Sequence, residues 1–145
     1  MEELIQELDK NLDYERYELH GKEMSIYVRS IRKVATCPYC GDLSEQVHSR
    51  KERTLQDLPM QGKKVKLFLE QKKYFCKNKA CLKKTFAERF EFFAPNTTKT
   101  KRLQEEILRV SLTQSSVAAS RYLRNSVADV SKSTICDLLK KGLSK

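Results

Sequence analysis

No stretch of roughly 18 consecutive apolar residues occurs in the 145-residue chain, which excludes a hydrophobic membrane-crossing helix. The opening residues, Met1-Glu2-Glu3-Leu4-Ile5-Gln6-Glu7, are acidic and lack the basic and apolar regions of a secretion signal. A cytoplasmic location is therefore expected. Thiols stay reduced there, so the five cysteines point to metal ligation or free thiol before disulfide. No internal repeat or low-complexity tract is present, and no thioredoxin-like βαβ unit surrounds the cysteines. Histidine is scarce, with 2 residues.

What is abundant is positive charge, and its placement is uneven. Residues 1–36 carry 6 basic and 8 acidic groups, residues 37–100 carry 14 against 7, and residues 101–145 carry 9 against 4. The positive field starts where the cysteines start. A basic domain attracts polyanions, and each phosphate it neutralises releases counterions; a solvated lysine-rich surface is the alternative. With 39% hydrophobic residues a core is feasible and global disorder is disfavoured, although small domains often need a metal to complete it.

The pattern of apolar residues changes along the chain. Leu4, Ile5, Leu8 and Leu12 have helical spacing over residues 2–12. Residues 14–19 and 24–31 flank the turn His20-Gly21-Lys22-Glu23. Met24, Ile26 and Val28 alternate with polar neighbours, so the pair reads as a hairpin. Residues 37–62, punctuated by Pro38, Gly41, Pro59 and Gly62, read as loop-rich. Residues 63–75 form the clearest strand, with Val65, Leu67 and Leu69 on one face and Lys64 and Lys66 on the other, running directly into Cys76. Residues 92–100 read as a linker whose Asn/Thr run offers caps. Beyond it three helices are expected, at about 101–112, 115–124 and 132–141. The expected fold is α+β: a small zinc-ribbon-like β domain with a short N-terminal helix over residues 1–95, followed by a three-helix helix-turn-helix domain over 96–145.

Cys37-Pro38-Tyr39-Cys40-Gly41 has the form of a metal knuckle. Two intervening residues let both sulfurs face one point, and Gly41 permits the tight backbone after the second. Cys76 and Cys81 supply a second pair with a four-residue gap. Four thiolates match the tetrahedral preference of zinc and leave no position for water, so one structural Zn2+ is expected. Lys77, Lys79, Lys83 and Lys84 would offset the charge of a tetrathiolate site. An iron–sulfur cluster or unliganded thiols remain the alternatives. His48 could stand in for a cysteine, but beside Ser49, Arg50, Lys51 and Arg53 it reads as a surface or phosphate-facing residue. His20 reads as surface, and Cys136 as a half-buried helix residue.

Ser131 is a suitable N-cap for the third helix, leaving Lys132, Ser133 and Thr134 in its first turn. In a helix-turn-helix that turn enters the major groove, where these side chains can reach base edges or phosphates. A generic three-helix bundle is the bland reading.

The order of these features resembles the N-terminal part of ISL-three-type insertion-sequence transposases. The matching words are Cys37-Pro38-Tyr39-Cys40-Gly41, His48-Ser49-Arg50, Arg53-Thr54-Leu55-Gln56-Asp57-Leu58-Pro59, Gly62, Cys76, Cys81 and Thr85-Phe86-Ala87-Glu88-Arg89-Phe90. Thr100-Lys101-Arg102-Leu103 and Val130-Ser131-Lys132-Ser133-Thr134 extend the likeness to roughly residues 10–141. The resemblance implies zinc ligation by Cys37, Cys40, Cys76 and Cys81, followed by a helix-turn-helix that recognises transposon ends, with Ser131 to Thr134 opening the recognition helix. Two features depart from the family. The RNase-H-like catalytic domain expected of the family is not contained in residues 1–145, and the polar stretch Thr113-Gln114-Ser115-Ser116 stands where relatives tend to carry glycine. Asp57, Glu88, Glu105, Glu106, Asp129 and Asp137 show no two-metal arrangement and read mostly as surface or capping groups.

No catalysis is therefore expected of this chain. The leading expectation is binding of double-stranded DNA at transposon terminal repeats by a truncated or N-terminal portion of a transposase. Arg50, Lys51 and Arg53, with Lys64, Lys66, Lys101 and Arg102, would hold phosphates while Lys132 and its neighbours read bases. The alternatives are a regulatory module, a protein-interaction zinc ribbon and an active nuclease. The first would pair with a full-length transposase, or with itself, through Leu4, Ile5 and Leu8. No membrane and no small-molecule substrate are expected as partners.

Overall fold

The computed structural model describes residues 1–113, 116–129 and 131–143. Gln114 and Ser115 of the polar stretch, Val130 and Lys145 therefore lie outside the described residues. The elements run in the order α1 (Glu2–Leu8), β1 (Leu12–His20), β2 (Glu23–Ser30), β3 (Ala35–Thr36), β4 (Leu43–Ser44), β5 (Val47–Met60), β6 (Lys63–Phe75), β7 (Thr85–Ala87), α2 (Lys101–Thr113), α3 (Ser116–Ser126) and α4 (Lys132–Leu143). The class is α+β.

Alternation builds the main sheet. Its strand order is β1-β2-β6-β5, with β7 pairing β6, and a separate two-stranded sheet joins β3 to β4. The β1–β2 and β5–β6 pairs are antiparallel, whereas β2 and β6 run parallel. That register sets Met24 beside Val65, Ile26 beside Leu67 and Val28 beside Leu69. Leu55 of β5 joins the row opposite Leu67. All of these are buried, and Ile5 of α1 with Phe90, Phe92 and Phe93 completes the core. Burying each such side chain is worth roughly 1.5–3 kcal/mol.

Three expectations need correction. Residues 47–60 are not loop but a 14-residue strand. Its first half, from His48 to Glu52, is exposed and charged on both faces, so no alternation betrays it. It is held instead by pairing with β6 and by a two-residue turn with positive φ at Gln61 (51°) and Gly62 (72°), which suits a tight hairpin. Residues 92–100 are not a loose linker: Phe92 and Phe93 lie in the core, and Thr100 is fully buried. The face of α1 carrying Ile5 packs against the chain's own sheet, so Ile5 is not free to dimerise.

The opposite face of the sheet is an ion-pair lattice. Arg29 pairs with Asp13 (3.0 Å), Arg50 with Glu70 (3.4 Å) and Lys64 with Asp129 (3.2 Å). Arg16 sits over the Tyr27 ring (3.9 Å), which stacks on Phe68 at 4.9 Å. Lys64 of β6 and the arginines Arg29 and Arg50 of the neighbouring strands are thereby compensated.

Helices α2, α3 and α4 share a second core of Leu103, Ile107, Val110, Ala119, Leu123, Val127, Ala128 and Ile135, against which Leu58 of β5 packs. The end of β5 is pinned to this unit by polar contacts. Gln56 donates its backbone N–H to Thr98 O (2.8 Å) and accepts from Thr100 N–H (3.0 Å). Its side-chain oxygen accepts from Asp129 N–H at 2.8 Å. Asp57, a buried carboxylate, accepts from Thr100 Oγ1 (2.7 Å) and from two nitrogens of Arg102 (2.8 and 2.5 Å). Thr100 in turn caps α2 by accepting from Leu103 N–H at 3.3 Å.

Candidate metal centre

The cysteines converge because two local devices turn the chain. In the knuckle, Gly41 N–H donates to Cys37 O (2.9 Å) and Cys37 N–H to Asp42 O (2.9 Å), closing the small β3–β4 hairpin. Gly41 takes φ 84°, a left-handed conformation that a side chain would strain. In the second half, β6 delivers Cys76, whose N–H donates to Lys84 O (2.8 Å), and Cys81 N–H reaches Asn78 O at 3.1 Å. Asn78 Oδ1 accepts from Ala80 N–H (3.0 Å), which tightens the loop between the two ligands.

The four Sγ atoms of Cys37, Cys40, Cys76 and Cys81 all lie within 4.8 Å of one another, and those of Cys40 and Cys76 are 3.5 Å apart. Four sulfurs at about 2.3 Å from a tetrahedral zinc would stand about 3.8 Å apart. The cluster fits that ion, and no disulfide competes for the thiols. The environment favours one thiolate: the Asp42 backbone N–H, helped by neighbouring thiols and opposed by burial, lowers Cys40 to about 7. At Cys76 the Asn78 backbone N–H lowers, but burial and the other thiols push the group up to about 12. Thiols this close cannot all ionise against one another without a cation to hold them. Around the cluster, Ala35, Tyr74 and Phe86 form a separate small core.

Behind the ribbon sits a carboxylate that the sequence reading placed at the surface. Glu88 is buried; Ser30 Oγ donates to its Oε1 (2.6 Å), Lys72 N–H to its Oε2 (2.6 Å), and Arg32 pairs with it at 3.3 Å. Burial raises its pKa above the ordinary carboxylate value, against the pull of Ser30, the Lys72 N–H and Arg32. A raised folded pKa means that protonation favours the folded state, so the contribution is full below the ordinary range and is lost as pH rises through the folded value. Glu88→Gln should therefore look worst in acid. Urea melts at about pH 5 and about pH 8 should show the wild type's advantage over the variant shrinking as pH rises. A pH-independent difference would contradict the assignment.

Other sequence-nominated residues are dispersed. His48 is exposed, stacks edge-on against Phe75 (4.8 Å) and takes no part in the cysteine cluster. Cys136 is half-buried on α4, apart from that cluster. Arg50 and Lys51 are exposed on β5, and Lys66 is half-buried on β6. Arg53 is committed to the chain itself, donating to Pro95 O (3.1 Å) and Thr97 O (2.8 Å). Arg102 is taken by Asp57, while Lys101 is exposed. Ser131, Lys132 and Ser133 are exposed and Thr134 half-buried at the start of α4; Ser131 Oγ accepts from Thr134 N–H at 3.1 Å, as expected of a cap.

Paired cysteines presented by a short hairpin and by the end of a long strand define a zinc ribbon, with one structural zinc ion. Residues 33–81 match the family described as the zinc-finger of transposase IS204/IS1001/IS1096/IS1165, so this segment is similar to the zinc ribbon of ISL3-type transposases. The helices lie outside the matched segment. Comparison with curated proteins and with solved structures returned no match. Among the described residues no helix is long and apolar enough to cross a membrane.

Proposed function

We propose that the chain binds double-stranded DNA at transposon ends, with α2, α3 and α4 acting as a helix-turn-helix and the zinc ribbon as its rigid partner. The observation that carries this is the start of α4. Ser131, Lys132 and Ser133 stand in solvent on a capped first turn, while Ile135 of the same helix is fully buried. A recognition helix needs that combination of a fixed base and an open N-terminal turn. The net charge of +10 and the ribbon's likeness to a transposase domain support a nucleic-acid partner. Lys51, Lys66 and Lys101 are the cations best suited to phosphates, because no acidic side chain pairs with them among the described residues.

The same reading assigns this chain binding without catalysis. Asp57 and Glu88 hold the fold together, and among the described residues the four cysteines form the one cluster suited to a metal. Zinc with four protein ligands has no open position for chemistry.

Selection of bound sequences from random duplexes, followed by titration, tests the proposal. Binding should weaken steeply with salt, and Lys132→Ala with Ser133→Ala should cost roughly 1–3 kcal/mol on the selected site and relax its sequence preference. Affinity that is indifferent to salt, or a preference untouched by the double variant, would overturn it. A second reading, docking of α2 and α3 on a protein, is favoured by the exposure of Leu112, Val117 and Tyr122. Pull-down of a protein with no shift of DNA would select it.

A further inference from the structure

Between the zinc knuckle and the segment after β7 lies a cleft of about 240 Å³. It is smaller than the roughly 300–1,000 Å³ of sites for drug-sized ligands, which limits it to one small ring system. The knuckle contributes Tyr39, with 57% of its surface exposed, and the later segment contributes Phe93 and Asn96. From the sheet comes Gln71, buried and fixed by donating to Glu88 O at 2.6 Å. Aromatic rings beside two side-chain amides suit a planar heterocycle that carries its own hydrogen-bonding edge.

Cations outnumber acids around the cleft, whose lining carries Arg53 and Arg89 against the single carboxylate Glu88. Arg53 lines it with a guanidinium held by two backbone carbonyls and set over the Phe93 ring at 5.2 Å. Arg89 lines it with no acidic partner among the described residues. Register places Lys51 across from Gln71 and Lys73 across from Ala87, both exposed. Glu88, which lines the cleft, is buried and answered by Arg32. This differs from the outer sheet face, where Arg29, Arg50 and Lys64 are each paired with an acid.

We infer that this cleft binds a single unpaired nucleotide, its base beside Tyr39 and Gln71 and its phosphate toward Arg89. The site is separate from α4 and stands whether or not α4 reads duplex DNA.

Fluorescence anisotropy on the zinc-loaded full chain tests it with a short oligodeoxythymidine strand, free thymidine monophosphate, a paired duplex and the same duplex carrying one extrahelical thymidine. The extrahelical base should tighten duplex binding, and Arg89→Ala or Tyr39→Ala should weaken single-strand binding about tenfold. Arg89→Ala should leave the paired duplex unchanged, whereas Lys132→Ala with Ser133→Ala should do the reverse. Retained zinc in Tyr39→Ala confirms that the knuckle is intact. Competition by the free monophosphate would identify a nucleotide site, and its failure alongside strand binding would show that the flanking backbone is required. Equal affinity for both duplexes, or single-strand binding unmoved by Arg89→Ala, would overturn the inference.

Discussion

Removal of the metal, by a strong chelator or by Cys76→Ser, is expected to unfold the ribbon end and to leave the main sheet standing. Structural zinc binding is worth roughly 10–16 kcal/mol in zinc-finger peptides, about as much as the whole stability of an ordinary domain. Nothing near the cluster can replace that. The β3 and β4 strands are two residues each, and the apolar core around the cysteines rests on Ala35, Tyr74 and Phe86. Without the ion the crowded thiols take up protons instead of ionising together, and nothing ties the two cysteine pairs to one another. The main core shares no residue with this cluster, since Leu12, Ile26, Leu55, Leu67 and Leu69 are fully buried by sheet, α1 and the phenylalanines. Hydrogen exchange should show amides of residues 35–44 and 76–87 losing protection in the apo protein while residues 24–28 and 65–69 keep theirs. Cys136→Ser is the control and should retain one zinc per chain, because Cys136 lies outside the cluster. Full protection of the ribbon end in metal-free protein would refute a structural role for the ion.

The metal centre was legible because its signal is local: two cysteine pairs, each with short internal spacing, need little knowledge of the fold. The β1–β2 hairpin and β6 were legible for the same reason, since alternation of Met24, Ile26, Val28, Val65, Leu67 and Leu69 is visible in a short window. What escaped is what depends on partners distant in sequence. The parallel pairing of β2 with β6 spans the whole knuckle and β5. The early half of β5 is exposed on both faces, so only its partner defines it. Phe90, Phe92 and Phe93 complete a core whose other members begin at Ile5, and a short aromatic run beside Pro95 gives no periodicity to follow. Asp57 and Glu88 read as surface acids because their partners, Arg102 and Arg32, lie 45 and 56 positions away in the chain.

Of these unseen contacts, the one at Asp57 should matter most to function. Asp57→Ala would leave Thr100 Oγ1 without its acceptor inside a buried contact and would release Arg102. Breaking a fully buried ion pair costs about 3–5 kcal/mol, but the Arg102 side chain is 47% exposed and can rehydrate, so about 2–3 kcal/mol is expected. The Arg102 pKa is raised chiefly by its hydrogen bond to Asp57, the direction expected of a working pair. Asp57→Asn keeps an acceptor for Thr100 and should lose less. Both variants should bind a full complement of zinc, because the cysteine cluster shares none of these residues. The site of the damage distinguishes the two units. Gln56, Asp57 and Leu58 are where β5 grips α2 and the segment before α4, so loosening them frees the helices from the ribbon. Calorimetry should then resolve a helical transition below that of the sheet, and duplex binding should weaken with the zinc content unchanged. A single unshifted transition in Asp57→Ala would show that Leu58 and the backbone contacts of Gln56 hold the units together unaided.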